Sequence, residues 1–234
     1  MNNWLENNEE QIEYFIKSND IILVGRKYHI DLLLKLIIFY NKTKNSNFLD
    51  LGCGDGSISK IIQSKFPNNT IDLLDGSNMM IQILQNKFKS NNSNIINMNF
   101  NEWMNLNVEK KYDLIFSSMA IHHLDYYNKN KLFTKIYTAL KYDGLFVNID
   151  VVKPVTKDIE DFHFMMWENS IIEKTNNIDE SKKHENLPSN YKNKTENKPS
   201  TLKSQLYLLE NIGFEDVDCH HKDGIFAMFS GVKK

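Results

Sequence analysis

The sequence predicts an α/β protein in which a mostly parallel β-sheet is covered by helices on both faces. Between residues 47 and 152, short apolar runs alternate with longer stretches that have helical spacing of their apolar residues. Strands that alternate with helices in this way form parallel βαβ units with right-handed crossovers. The expected architecture is therefore a three-layer αβα sandwich.

Five strands and three helices are predicted in this central region. The strand segments are NFLDL from residue 47, TIDLLD from 70, NIINMNF from 94, YDLIFSS from 112 and GLFVNIDVV from 144. The helix segments are SISKIIQSKF from 57, NMMIQILQNKF from 78 and KNKLFTKIYTALK from 129. Gly144 follows the third helix and is typical of the residue just beyond a helix C-terminus.

The segments that flank the central region are predicted to be largely helical. Residues 1–45 include NEEQIEYFIKS and the strongly apolar HIDLLLKLIIFY, which ends near Asn41. A further helix is predicted over KDIEDFHFMMWENSII, and the polar, asparagine- and lysine-rich residues 174–200 are predicted to form a mobile loop. We expect residues 1–45 and 153–200 to form a helical cap on a single domain, residues 1–234, and to close over a substrate.

The C-terminal end of the chain predicts an antiparallel β-hairpin. A helical stretch, STLKSQLYLLENIGF, precedes two strand-like runs, EDVDCHH and GIFAMFSGVK, with KDG between them. Short loops that contain glycine join antiparallel strands. With the five central strands, this hairpin gives a seven-stranded sheet whose last strand is antiparallel.

Composition argues against several classes of function and location. The formal net charge of −2 provides no basic field for a nucleic acid backbone, so no nucleic acid partner is expected. The two cysteines, Cys53 and Cys219, lie far apart in the sequence and do not form a disulfide framework. The polar N-terminus MNNWLENNEE does not resemble a signal peptide, and the apolar run at 32–40 is too short to span a bilayer. We expect a cytoplasmic protein with no membrane partner.

The most informative segment is FLDLGCGDGSIS, residues 48–59, where a glycine-rich turn joins a strand to a helix. Such a turn lets a ligand approach the backbone closely. The spacing is Gly52-x-Gly54-x-Gly56, which differs from the G-x-G-x-x-G of dinucleotide-binding folds. Asp50 precedes the glycines and would repel phosphates, but it suits a ligand with a cationic amine.

A second acidic residue, Asp75, ends the next predicted strand, about twenty residues beyond the loop. At this position an acidic side chain reaches ribose hydroxyls. Together, the glycine loop, Asp50 and Asp75 describe a ligand that contains adenosine, a ribose without phosphates and an amino-acid end. S-adenosylmethionine has this composition.

Five motifs in order show that the chain resembles the class I (Rossmann-like) S-adenosylmethionine-dependent methyltransferases. They are LDLGCGDG, DLLDGSNMMI, KYDLIFSSMAIHHL, LKYDGLFVNID and the closing LLENIGFEDVDC with FAMFSGVKK. The matching segments cover residues 45–152 and 200–234. The resemblance implies a Rossmann-like fold, S-adenosylmethionine as cofactor, S-adenosylhomocysteine as product and methyltransferase activity.

The resemblance also implies a set of cofactor-binding residues. Asp50 and the loop backbone would hold the methionine end, Asp75 the ribose, and Met80 the adenine face. Asn101 and Glu102 stand where the family usually has Gly-Asp-Ala. The residues expected to contact adenine therefore differ from the family pattern. The full set is Asp50, Gly52, Cys53, Gly54, Asp75, Gly76, Met80, Asn101, Glu102, Ser117 and Ser118.

Three of these residues also have purely structural interpretations. Asp50 and Asp75 each precede a predicted helix and could serve as its N-terminal cap. Met80 has the spacing of a core residue, because methionine on an apolar helix face usually packs in the interior. The occurrence of Asp50 and Asp75 within the complete motifs favours ligand binding for both.

The candidate catalytic residues are His122 and His123, which follow the fourth strand of the central region. The C-terminal ends of parallel strands line the ligand crevice in open α/β sheets, and histidine can accept a proton near neutral pH. The alternative is that the pair is structural and stacks near the cofactor or bonds the backbone. Methyl transfer has no universal catalytic residue, because a base is needed only where the acceptor must lose a proton.

His163 and Trp167 are the candidate substrate-binding residues. They lie four positions apart on one predicted helix, where they could form the roof of an acceptor pocket, or simply pack against the sheet edge. His220 and His221 lack a cysteine or carboxylate at metal-ligand spacing, and we expect no metal.

The predicted function is methyl transfer from S-adenosylmethionine to a small-molecule acceptor. As the acceptor atom, oxygen is favoured over nitrogen and carbon because of the nearby histidine pair. A nucleic-acid amino-methylase would have Asn/Asp-Pro-Pro-Tyr where this chain has SSMA. An alternative is a non-catalytic subunit that binds S-adenosylmethionine for a partner. An NAD(P)-dependent oxidoreductase fits less well, because of the glycine spacing, Asp50 and the predicted C-terminal hairpin. A monomer and a homodimer are both compatible with the sequence.

Overall fold

A computed structural model describes residue 16 and residues 18–40, 45–89, 92–175 and 187–234. The predicted helix over NEEQIEYFIKS lies mostly outside the described residues. The described residues form a seven-stranded sheet in the order β3-β2-β1-β4-β5-β7-β6. Its strands are β1 Asn47–Leu51, β2 Thr70–Asp75, β3 Ser93–Asn97, β4 Tyr112–Ser118, β5 Leu140–Val151, β6 Phe214–Asp223 and β7 Phe226–Lys233.

The strand directions confirm the predicted topology. β1 pairs in parallel with β2 and β4, β2 with β3, and β4 with β5. The last strand, β7, is antiparallel to both of its neighbours, β5 and β6. A strand order that reverses between β1 and β4 creates a crevice at the carboxyl ends of these two strands, where open α/β sheets bind ligands.

Helices cover both faces of the sheet and complete the Rossmann-like sandwich. They are α1 Arg26–Tyr40, α2 Ser57–Lys65, α3 Asn78–Lys87, α4 Phe100–Met104, α5 Tyr126–Ala139, α6 Lys157–Thr175, α7 Leu187–Asn193 and α8 Leu202–Ile212. Residues 18–22 form a further helical segment before α1. No helix in the described ranges is long and apolar enough to cross a membrane.

The core consists of two apolar clusters, one on each face of the sheet. On one face α1, α2 and α3 pack over the central strands, and on the other face α5 and α8 do so. Both clusters exclude water almost completely, and burial of each such side chain contributes roughly 1.5–3 kcal/mol. Fully buried examples are Leu33, Leu73, Leu84 and Phe116 on the first face, and Leu132, Phe133, Phe146 and Leu209 on the second.

The segments predicted as a cap have two different positions. α1 packs Leu33 and Ile37 into the first core cluster and is a helix of the sandwich itself. Residues 18–24, α6 and α7 instead come together in a third apolar cluster, which includes Ile22, Leu23 and Trp167 and packs on the end of β5 and the hairpin.

Two helices occur where none was predicted. The prediction of a loop over 174–200 is wrong at α7, because the aromatic ring of Tyr191 packs against Trp167 and His122, and this tertiary contact outweighs the polar composition. α4 begins with a capping box in which Asn99 accepts from the backbone N–H of Glu102 and Glu102 accepts from that of Asn99. The sequence signal for α4 was therefore present in NFNE.

Candidate functional site

The glycine loop begins where β1 ends and is fixed to the neighbouring strand. The backbone N–H groups of Gly52 and Cys53 donate to the carbonyl oxygen of Leu74 at 2.8 and 3.0 Å. Gly52 has a φ of 75°, and a Cβ atom there would lie 2.5 Å from the Cβ of Ala120. This position therefore requires glycine both for its conformation and for the close approach of the loop after β4.

Gly54 differs from Gly52 in what surrounds it. Its φ is 54°, and a Cβ atom built on it would meet no protein atom within 4 Å. This part of the loop faces an open cavity. The side of the loop that must accommodate a ligand is thus bare backbone, as the sequence predicted.

Asp75 ends β2 and joins the two turns that follow β1 and β2. Its Oδ2 accepts a hydrogen bond from the backbone N–H of Gly54, and its Oδ1 accepts one from that of Ser77, both at 2.8 Å. Burial raises the pKa of Asp75, while these backbone hydrogen bonds oppose the rise. The carboxylate is held in a fixed orientation at the cavity wall and retains lone pairs for further donors.

Asp50, in β1, lies on the same cavity. It is 2% exposed, and its Oδ2 accepts a hydrogen bond from the hydroxyl of Ser59 at 2.5 Å. Burial raises the pKa of Asp50 to about 7, with Asp75 and Asp55 adding to the rise and Ser59 opposing it. A cation bound beside Asp50 would restore its charge, because opposite charges favour the ionised form.

One cavity brings most of the predicted site residues together. It is lined by eight of them: Asp50, Gly52, Cys53, Gly54, Asp75, Gly76, Ser118 and His123. Other parts of its wall were not predicted; they include Asn19, Leu23 and Arg26 near the N-terminus, Met98, Asn99 and Phe100 after β3, and Ala120 after β4.

Seven predicted site residues lie outside this cavity lining, namely His163 and Trp167, which lie in a different cleft, and five others. Met80 is fully buried in α3, and Asn101 and Glu102 are exposed on α4, directly after the residues that line the cavity. Ser117 is buried and donates to the carbonyl of Leu51, because successive residues of a strand face opposite sides and Ser118 takes the cavity side. His122, the fifth, is buried behind His123.

The histidine pair divides into one buried and one cavity-lining residue. Nδ1 of His122 lies 2.6 Å from Oδ1 of Asp150, whose Oδ2 accepts from the backbone N–H of His122 at 2.8 Å. Burial favours a higher pKa for Asp150, but the contacts with His122 outweigh it and hold the pKa below its ordinary value. The His123 ring lies 4.1 Å from that of His122. Burial and the neighbouring His122 lower the pKa of His123 to about 3, so its imidazole is neutral at pH 7.

His163 and Trp167 lie in a different cleft, between α6 and the β6–β7 turn. The indole Nε1–H of Trp167 donates to the carbonyl of Ile22 at 2.8 Å, and its ring packs 5.3 Å from that of Phe226. Trp167 thus anchors residues 18–24, which supply part of the cofactor cavity wall, and does not line that cavity itself.

Lys174 reinforces this anchor from the same helix. Its Nζ lies 3.2, 3.4 and 3.3 Å from the carbonyl oxygens of Asp20, Ile21 and Leu23. These carbonyls lie at and just beyond the C-terminal end of the helical segment at 18–22, where the helix dipole favours a cation. Two side chains of α6 therefore hold the segment that covers the cavity.

No group of three or more potential metal ligands occurs in the described part of the chain. The site is instead a crevice at the carboxyl ends of β1, β2 and β4, formed by a glycine loop, two buried aspartates and a neutral histidine. This arrangement on a 3-2-1-4-5-7-6 sheet defines the class I methyltransferase fold.

Comparison with a family model agrees with this assignment. Residues 48–144 match the family described as a methyltransferase domain. This segment, which contains the glycine loop, Asp75 and both candidate histidines, is therefore similar to methyltransferase domains.

A curated relative shares part of the sequence. The chain is 40% identical over 111 residues to malonyl-[acyl-carrier protein] O-methyltransferase 1 of Ilyobacter polytropus. The match covers 47% of this chain and 40% of that protein, so the chain spans less than half of its relative's length.

Solved structures share the fold at low sequence identity. An O-methyltransferase family protein from Burkholderia thailandensis superposes with a TM-score of 0.69 at 10% identity, over 98% of this chain and 61% of that one. Human N-acetylserotonin methyltransferase, solved with S-adenosylmethionine, has a TM-score of 0.55 at 16% identity, over 80% of this chain and 47% of that one.

Proposed function

We propose that the protein transfers the methyl group of S-adenosylmethionine to an oxygen atom of a small-molecule acceptor. The main observation in support is that two buried aspartates and a neutral histidine line one cavity beside the glycine loop. When bound, the cofactor supplies an electrophilic methyl group on a sulfonium. The acceptor oxygen forms the new bond to carbon as the carbon–sulfur bond breaks, and the electron pair of that bond remains on sulfur, giving S-adenosylhomocysteine.

The protein residues contribute mainly by positioning the reactants. In this proposal Asp75, fixed by Gly54 and Ser77, accepts hydrogen bonds from the ribose hydroxyls. Asp50 binds the ammonium group of the methionine end, and the bare backbone at Gly54 supports this role by leaving room for that end. Correct orientation of two reactants can lower the barrier by roughly 7–11 kcal/mol.

The pKa of His123 restricts the kind of acceptor. An imidazole with a pKa of about 3 is a weak proton acceptor, since general bases work best with a pKa near the operating pH. His123 can still accept a hydrogen bond and orient an acceptor group. We therefore favour an oxygen that is already ionised or readily ionised, such as a carboxylate, an enol or a phenol.

The curated relative supports a carboxylate acceptor. Its name assigns O-methylation of a malonyl group on an acyl carrier protein. Because the match is partial, the relative's acceptor is not assigned to this chain. A malonyl group, with or without a carrier protein, is a candidate acceptor to be tested.

The proposal is tested with purified protein and methyl-labelled S-adenosylmethionine. The acceptor panel contains carboxylic acids, malonyl thioesters with and without a carrier protein, phenols, enols and amines. Transfer to carboxylate, enol or phenol oxygen supports the proposal, and transfer only to amines contradicts it. Binding of S-adenosylhomocysteine without transfer to any acceptor would favour a non-catalytic subunit, and a thermal shift with NAD or NADP alone would favour an oxidoreductase.

A further inference from the structure

The cavity that holds the candidate cofactor residues has an uneven distribution of charge. Three carboxylates line it, those of Asp50, Asp55 and Asp75. Among the described lining residues, Arg26 is the one side chain with a permanent positive charge, since His123 is neutral at pH 7. The methionine end of the cofactor is a zwitterion, with an ammonium and a carboxylate, and therefore requires one partner of each sign.

Arg26 begins α1 and reaches across to the first residue of α2. Its Nη2 donates to the hydroxyl of Ser57 at 2.9 Å, and its Nη1 donates to Oδ1 of Asp20 at 2.6 Å. The side chain of Arg26 is 16% exposed, whereas that of Asp20 is 82% exposed. An ion pair with so exposed a carboxylate is weak, so Asp20 orients the guanidinium without neutralising it strongly.

The start of α2 is a second feature that favours an anion at the same place. Its N-cap, Gly56, has no side chain to accept from the backbone N–H groups of the first turn, although Asp55 accepts from that of Ser57 at 3.2 Å. The partial positive charge of a helix N-terminus stabilises a nearby anion. Asp55 itself pairs with Lys87 at 2.8 Å, which compensates its negative charge.

The segment before α1 offers a further polar group to the same cavity. Asn19 lines it, and the Oδ1 atom of Asn19 is buried with no hydrogen-bond partner among the described residues. Buried amide oxygens in folded proteins nearly always have a donor. A ligand that supplies N–H or O–H groups to this wall of the cavity would satisfy it.

We propose that Arg26, with the N-terminus of α2, binds the carboxylate of the methionine end of the cofactor, while Asp50 binds its ammonium. Arg26 is then a determinant of specificity for the intact amino-acid end. The inference rests on the proposed use of S-adenosylmethionine. It assigns a function to the segment at 18–26, for which the motifs in the sequence gave no ligand role.

The test measures the affinity of S-adenosylhomocysteine and of its decarboxylated analogue, S-adenosyl-3-thiopropylamine, by calorimetry. The variants are Arg26→Gln, Arg26→Lys and the control Lys27→Gln, which removes a positive charge from an exposed position of the same helix. We expect Arg26→Gln to lower the affinity for S-adenosylhomocysteine by roughly 10- to 100-fold. This is the range that the loss of a hydrogen bond to a charged group gives. The analogue should bind Arg26→Gln and the wild type equally, Arg26→Lys should recover part of the loss, and Lys27→Gln should change neither affinity.

Two results would overturn the inference. One is an Arg26→Gln variant that binds S-adenosylhomocysteine as tightly as the wild type. The other is an equal loss for both ligands, since this would indicate a general disturbance of the cavity and not a contact with the carboxylate. Failure of the wild type itself to bind S-adenosylhomocysteine would instead refute the cofactor assignment, so the two failures are distinguishable.

Discussion

The backbone N–H of Gly54 donates a 2.8 Å hydrogen bond to the carboxylate of Asp75, which links the turn after β1 to the end of β2. The same carboxylate accepts from Ser77, so it orients the starts of two helices and one wall of the cavity. A single buried acidic group thus has a structural role and a proposed ligand role. The structural role alone would explain its burial, and variants must separate the two.

Replacement of Asp75 is predicted to affect ligand affinity more than folding. Asp75→Asn retains an acceptor for one backbone N–H but cannot accept from both ribose hydroxyls as a carboxylate does. We expect the dissociation constant of S-adenosylhomocysteine, measured by calorimetry, to rise at least about 10-fold, the equivalent of one charge-assisted hydrogen bond. Asp158→Asn, on the exposed start of α6, is the control. An unchanged affinity in Asp75→Asn would limit Asp75 to its structural role.

Two glycine substitutions should have different consequences for stability. Gly52→Ala and Gly54→Ala both place a side chain at positive φ, which costs roughly 1–2 kcal/mol. Only Gly52→Ala also forces a Cβ to within 2.5 Å of Ala120, and overpacking of this kind costs roughly 1–3 kcal/mol more. Urea denaturation should show the larger loss for Gly52→Ala. Both variants should bind S-adenosylhomocysteine weakly. In Gly54→Ala the reason is that the new Cβ would project into the cavity. Equal losses of stability in the two variants would contradict this account.

The sequence was sufficient to predict the sheet and the half of the site that lies on it. The residues at the ends of β1 and β2 follow directly from strand boundaries, so the glycine loop, Asp50 and Asp75 were predicted together. The resemblance to the family assigns the adenine contact to Asn101 and Glu102. The cavity wall is formed by Met98–Phe100 instead, because β3 ends at Asn97 and a capping box starts α4 at Phe100.

The cavity wall from the N-terminal segment could not be predicted in the same way. Asn19 and Arg26 belong to no motif. Asn19 lies in residues 18–24, which α6 holds through Trp167 and Lys174, and Arg26 begins α1 directly after them. Such contacts join residues about 150 positions apart in sequence, which periodicity does not encode. The sequence likewise could not show which residue of the histidine pair faces the cavity.

The pKa of Asp50 predicts a pH-dependent affinity. Asp50 has a pKa of about 7 in the ligand-free protein because it is buried, and an ammonium group beside it would lower that pKa. Binding should therefore release protons, and affinity should rise as the pH increases from about 5.5 to about 7.5. It should fall again above about 8, where an α-amino group loses its proton. Calorimetry in buffers of different ionisation enthalpy measures the proton release directly.

Asp50→Asn is the matched variant for this pH dependence. It cannot ionise, so the rise in affinity below about pH 7.5 should disappear while the decline above about pH 8 remains. In the ligand-free wild type, the raised pKa of Asp50 makes its ionisation unfavourable in the folded state, so this group lowers stability as the pH rises from about 4 to about 7. A rise in affinity that persists in Asp50→Asn would assign it to another group.

The two histidines should separate into a folding and an activity phenotype. His122→Ala removes the imidazole from the carboxylate of Asp150, 2% exposed, although two backbone N–H donors remain; loss of one hydrogen bond to a buried charged group costs roughly 1.5–3 kcal/mol. His123→Ala removes a ring from the cavity wall and should cost less stability but lower the kcat/KM of methyl transfer. Because the pKa of His123 is about 3, its titration should not shape the pH–rate profile between pH 5 and 9. A step in that profile that disappears in His123→Ala would contradict this assignment.

The contact between Trp167 and Ile22 predicts that α6 controls the opening of the cavity. Trp167→Phe removes the indole donor and leaves the carbonyl of Ile22 buried without it, a cost of roughly 1–3 kcal/mol. We expect faster hydrogen exchange in residues 18–24 and faster dissociation of S-adenosylhomocysteine, measured by stopped flow. Trp103→Phe, in the core beneath α5, is the control and should reduce global stability without selective exchange at 18–24. Equal exchange at 18–24 in the two variants would show that Trp167 contributes to packing only and that residues 18–24 open independently of α6.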